Sequence, residues 1–118
     1  MATEKIEPII IENPETGKSL TLEFNRRTAK ACERSTGINP STLRDKLENA
    51  PLDTLSSLFY YAVQMHHADE DWTIDDTDTL LFDEIGIPDG FLERLAEIFV
   101  QPWTSMQTEV KNSKWVMK

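Results

Sequence analysis

The sequence predicts an α+β fold, mostly α, with an N-terminal β-hairpin packed on four to five short helices. Three observations carry this. Two strand-like runs flank turn chemistry near the N terminus. Apolar residues recur at helical spacing from Asn25 onward, and glycines and prolines fall where one helix must stop and the next begin.

Residues 5–12 read as a first strand, rich in isoleucine at Ile9, Ile10 and Ile11. Residues 19–24 alternate cleanly, with Leu20, Leu22 and Phe24 on one face and Thr21 and Glu23 on the other. Between them Asn13-Pro14-Glu15-Thr16-Gly17 supplies a turn, because proline presets one dihedral and glycine accepts a positive one. Two strands need helices packed on them to persist in water.

Asn25 is placed to cap a first helix that Gly37 ends. Its stripe is thin, Ala29 and Cys32 with Ile38 just beyond, which lets the helix approach the hairpin closely. Asn39-Pro40 reads as a cap followed by proline at the first helical position, opening a second helix with Leu43 and Leu47 on one face. Pro51 begins the central helix, where Leu55, Leu58, Phe59, Ala62 and Val63 share a face that Met65 and His66 extend. The polar run 67–71 breaks the pattern. Thr73 and Asp76 form a cap-like pair leading to Leu80, Leu81 and Ile85, and Gly86 stops that helix. Phe91, Leu92, Leu95, Ala96, Ile98 and Phe99 make a last helix, which Pro102 is expected to interrupt.

The 118 residues suit one domain, divided as hairpin 1–24, helical body 25–101 and a C-terminal segment 102–118 expected to be mobile in the free monomer. A content of 39% hydrophobic and 28% charged residues is that of a globular protein, not of a disordered chain. With Cys32 alone, no intramolecular disulfide can form. No run approaches the ~18 apolar residues that span a bilayer, and no signal peptide is evident, so the cytoplasm is the expected compartment. The net charge of −9, with 21 acidic against 12 basic residues and no basic stripe, argues against nucleic-acid binding. Such binding draws its affinity from Lys and Arg that release phosphate counterions.

Candidate chemistry is sparse. His66-His67, followed by Asp69, Glu70 and Asp71, has metal-ligand types but not the i, i+4 spacing that puts two imidazoles on one helical face. The expected arrangement is a helix end with His66 partly packed and the acids solvated. Asp75, Asp76 and Asp78 lack the glycine at position six and glutamate at twelve of a calcium loop, and suit a helix N-terminus instead. Cys32 has no activating histidine nearby in sequence and reads as a buried structural thiol. No nucleophile elbow, phosphate loop or dinucleotide fingerprint is present. The expectation is a protein-binding protein, with no catalytic residues, metal or cofactor. Its candidate partner-binding residues are Tyr60, Tyr61, Trp103, Met106, Trp115 and Met117, since aromatics and methionine suit adaptable interfaces.

Several segments, in order, carry a resemblance. They are Leu22-Glu23-Phe24-Asn25-Arg26-Arg27-Thr28, then Leu58-Phe59-Tyr60-Tyr61-Ala62 running to Met65-His66-His67, then Ile85-Gly86, Phe91-Leu92-Glu93-Arg94-Leu95 and Gln101-Pro102. Over residues 19–103 the chain resembles the small tail assembly chaperones of long-tailed, siphovirus-type phages and prophages of Gram-positive bacteria. The stretch through Lys18 is longer than that family's pattern. The resemblance implies binding to the tape measure protein and to the major tail protein, self-association, residence in the host cytoplasm and absence from the mature virion. It brings no catalytic residues. The alternative from composition is an acidic regulatory or inhibitory protein-binding module that mimics nucleic acid.

Overall fold

The computed structural model describes residues 7–109, the side chains of 105–109 excepted. The predicted class holds: a two-stranded antiparallel hairpin lies against a body of five α-helices.

Strands β1 (Ile9–Glu12) and β2 (Ser19–Leu22) pair in the register Ile9↔Leu22 to Glu12↔Ser19. The turn closes through the Asn13 N–H to the Lys18 carbonyl and the Gly17 N–H to the Asn13 carbonyl, both at 2.8 Å. Gly17 sits at φ +74°, the left-handed conformation that glycine adopts without steric cost. Both strands are shorter than the sequence suggests. Of the first expected strand, residues 5 and 6 lie outside the described residues. In the second, Phe24 continues the alternation past the paired ladder and is buried with Leu22.

Helix α1 (Arg26–Thr36) opens on a reciprocal cap: the Thr28 N–H donates to Asn25 Oδ1 at 2.8 Å, and the Asn25 N–H to Thr28 Oγ1 at 3.1 Å. It ends at Gly37, φ +78°, whose N–H returns to the Glu33 carbonyl. Helix α2 (Leu43–Asn49) begins later than Pro40 suggests. Asn39 does cap: its Oδ1 accepts from the Ser41 and Thr42 N–H groups, and Thr42 Oγ1 accepts from the Asn39 N–H. Regular helical bonding is established only after that turn.

Helix α3 (Pro51–His67) is central, burying Leu55, Leu58, Phe59, Ala62 and Val63. Met65 is half-buried and His66 exposed, so the stripe ends earlier than expected. After a 3₁₀ turn, Ala68–Glu70, helix α4 (Ile74–Asp78) starts on the Thr73–Asp76 cap, with both reciprocal bonds at 3.1 Å. It then widens into a π-helical segment, Thr79–Ile85, which buries Leu81.

Helix α5 (Phe91–Glu109) corrects one expectation, because it runs through Pro102. A proline inside a helix removes the N–H that would reach the carbonyl four residues back, at a cost of roughly 3 kcal/mol. Here Pro102 is itself buried, between the fully buried Phe99 and the half-buried Trp103. Packing of that turn outweighs the lost hydrogen bond.

The core forms where α3 and α5 meet beneath the hairpin. Leu58, Phe59, Leu95 and Phe99 are all fully buried, as the helical spacing predicts. The Phe24 and Phe99 rings meet edge to face at 5.1 Å, and Phe59 lies 6.2 Å from Phe91. Each such side chain contributes roughly 1.5–3 kcal/mol of burial before entropy is subtracted.

Candidate functional site

The two histidines hold the hairpin to the helical body. His67 Nε2 accepts the Thr21 N–H at 3.1 Å, so the ring proton resides on Nδ1, which donates to Glu70. His66 Nε2 meets Glu23 Oε1 at 2.8 Å, and the Glu23 N–H reaches the Ala62 carbonyl at 3.2 Å. The outer edge of β2 is thereby capped by α3. The expected arrangement was different: His66 is the more exposed ring, His67 is the packed one, and Glu70 is paired. His67 beside it, first of all, holds the Glu70 carboxyl below the ordinary carboxylate range. The neighbouring Trp72 indole N–H is buried without a partner in hydrogen-bond geometry, yet it adds a smaller pull in the same direction.

The remaining acids are distributed by structure. Asp76 caps α4, while Asp78 accepts a hydrogen bond from Ser56 Oγ across the α3–α4 contact. Among the described residues no three His, Cys, Asp or Glu side chains converge as a metal site requires. Cys32 is fully buried, and burial pushes its thiol up to about 11. At neutral pH such a thiol is a poor nucleophile.

The feature that stands apart is a seam between α3 and α4. Gln64 donates to the Trp72 carbonyl at 3.4 Å, and Ser56 donates to Asp78, so the two helices run antiparallel. Residues four apart lie on one helical flank. One turn from Ser56 in either direction are Leu52 and Tyr60; one turn from Asp78 are Phe82 and Ile74. The antiparallel run places Ile74 toward the Gln64–Trp72 end of the contact and the Ser56–Asp78 hydrogen bond at its other end; Phe82 lies beyond α4, on the π-helical segment. Three of these apolar side chains are well exposed: Leu52 at 66%, Ile74 at 42% and Phe82 at 38%. Tyr60 is half-buried and meets Tyr61 edge to face at 5.0 Å, while Tyr61 packs on the core.

An acidic ridge borders the seam. One position round from the apolar flank, Asp75, Thr79 and Asp83 recur every four residues, all exposed. Between Lys46 and Arg94 the chain carries twelve Asp and Glu residues and no Lys or Arg. An apolar surface bordered by one sign of charge suits an amphipathic partner of the opposite sign.

Of the sequence-derived candidates, Tyr60 and Tyr61 meet on α3. Trp103 lies on α5, 5.0 Å from Phe99 and packed against the core. Met106 lies on the same helix, with its side chain outside the described residues, where Trp115 and Met117 also fall. Leu52, Ile74 and Phe82 were missed because each stands beside a buried stripe and adds nothing to its period. The signal available was their flank, four residues either side of Ser56 and Asp78.

The chain matches, over residues 1–118, a family described as a domain of unknown function, DUF5055. The chain belongs to that family. No curated protein and no solved structure matches it. Among the described residues, no helix is long and apolar enough to cross a membrane.

Proposed function

We propose that the protein is a phage tail assembly chaperone. It binds the tape measure protein in the host cytoplasm, covers that protein's apolar helix faces until tail tube subunits replace it, and is left out of the mature virion. It works by binding and not by catalysis. The observation that carries this reading is the exposure of three large apolar side chains, Leu52, Ile74 and Phe82, within a stretch that holds twelve acids and no Lys or Arg. The acidic residues on that stretch keep an otherwise adhesive surface soluble. The π-helical turn that presents Phe82 supports the same reading, since such turns are rare and frequently lie at functional sites. The sequence resemblance to tail assembly chaperones supplies the identity of the client.

The test is co-expression with a tape measure protein of a siphovirus-type phage. The client should stay soluble and co-purify with the wild-type chain. A Leu52→Asp, Phe82→Asp double variant should lose the client by about tenfold or more while keeping its melting temperature, because both side chains are exposed. Equal recovery of client with either protein would overturn the reading.

A second reading, an acidic inhibitory module that mimics nucleic acid, is favoured by the stretch without Lys or Arg between residues 47 and 93. It makes the opposite prediction. Asp75→Asn, Asp83→Asn would abolish partner binding and Phe82→Asp would spare it.

A further inference from the structure

The overall deficit of Lys and Arg hides a local excess. Of the eight basic residues within 7–109, four stand on α1: Arg26, Arg27, Lys30 and Arg34. The helix buries Thr28, Ala29 and Cys32, and the four cations occupy the opposite side, all exposed. They fall within an arc of about 100° round the helix axis. Arg26, Lys30 and Arg34 follow one another every four residues, about 6 Å apart, with Arg27 beside them, so the row is about 12 Å long. The expectation of a chain without a basic stripe is corrected here, because whole-chain charge averages over a row that one helix face collects.

Among the described residues Arg27, Lys30 and Arg34 meet no carboxylate. The two acids closest in the chain are engaged elsewhere: Glu23 meets His66 Nε2, and Glu33 accepts from Asn39 Nδ2 at 3.0 Å. A helix N-terminus carries a partial positive charge, which favours acids in the first turn. Helices α2, α3, α4 and α5 each place one there, whereas α1 places Arg26 and Arg27. These cations add to the helix pole instead of offsetting it, and such breaches of local preference are expected at functional sites.

We propose that this face of α1 binds an acidic helix of a partner protein whose carboxylates recur every four residues. Such a helix laid along α1 presents the same interval of about 6 Å. Arginine grips a carboxylate through two parallel N–H bonds, which adds geometry to the charge. Nucleic acid fits less well. Single-strand sites pair cations with aromatic side chains that stack bases, and α1 has no aromatic residue. The net charge of −9 also repels an extended polyanion. The face lies on a different element from Leu52, Ile74 and Phe82 and is independent of the proposed client site.

The test is fluorescence anisotropy of the full chain with a labelled, alanine-rich peptide, stapled as a helix and carrying glutamate at every fourth position. At about 0.1 M salt, where charges more than about 10 Å apart are screened, the wild type should bind it, and more salt should weaken binding. Arg27→Gln, Lys30→Gln, Arg34→Gln should weaken binding by about tenfold or more, with an unchanged melting curve because these side chains are exposed. Arg44→Gln, Arg94→Gln removes two cations away from α1 and should change binding by less than about twofold. A peptide with the same glutamates scattered round its helix should bind about threefold more weakly or worse. No binding by the wild type, equal losses from both sets of substitutions, or indifference to glutamate spacing overturns the proposal. Tighter binding of an oligothymidylate of equal charge, lost in the triple variant, would overturn it in favour of nucleic acid.

Discussion

His67 Nε2 lies 3.1 Å from the Thr21 amide nitrogen, forty-six residues earlier in the chain, and accepts its proton. That contact ends the β-sheet at β2, because the N–H that would recruit a third strand is already satisfied by a helix. The same imidazole donates from Nδ1 to Glu70, which fixes its tautomer. A side chain of metal-ligand type is thereby committed to holding a hairpin.

Replacing His67 with alanine should therefore destabilise the domain. The Thr21 N–H is left partly buried without its acceptor, a loss of about 1–3 kcal/mol. His66→Ala should cost less, since that ring is exposed. Urea unfolding of the two variants reads the difference, and equal losses would mean that the Thr21 contact contributes nothing.

Glu70 gives a pH dependence with a definite sign. Its folded carboxyl is held below the ordinary value of 4.5, chiefly by the hydrogen bond from His67. The stability it contributes is fully present above that value and is lost as the pH falls through the lower, folded one. Urea midpoints measured down the acid range should decline less steeply for Glu70→Gln than for wild type.

Cys32 should be inert in the folded protein. With its thiol raised to about 11, only about one molecule in a thousand is ionised at pH 8, and the side chain is fully buried. A thiol-reactive disulfide reagent should label it at the rate of unfolding and fully in urea. Rapid labelling without denaturant would show that α1 opens independently of the core.

Phe59→Ala should be among the most damaging single changes. The ring is fully buried and packs against Phe91, and truncation of such a residue costs about 3–5 kcal/mol. Chemical denaturation should show this loss with an unchanged denaturant slope. A cost below about 1 kcal/mol would place the face of α3 differently.

The sequence by itself determined the elements whose causes are local. Asn25 with Thr28, and Thr73 with Asp76, start helices through bonds spanning three residues. Gly17 and Gly37 take positive dihedrals that few other residues accept, and the spacing of Leu55, Leu58, Phe59, Ala62 and Val63 fixes which side of α3 is inside. These signals lie within a turn or two of chain, so they are legible without a partner. Tertiary structure decided the rest. Pro102 stays inside a helix because its surroundings bury it, and no local rule anticipates that compensation. His67 became a strand cap only once Thr21 arrived opposite it. The α3–α4 contact is set by Ser56 and Asp78, twenty-two residues apart in the chain, whose hydrogen bond no local pattern announces. A surface shared by two elements has no period in either one, so it is written in their packing and not in the order of residues.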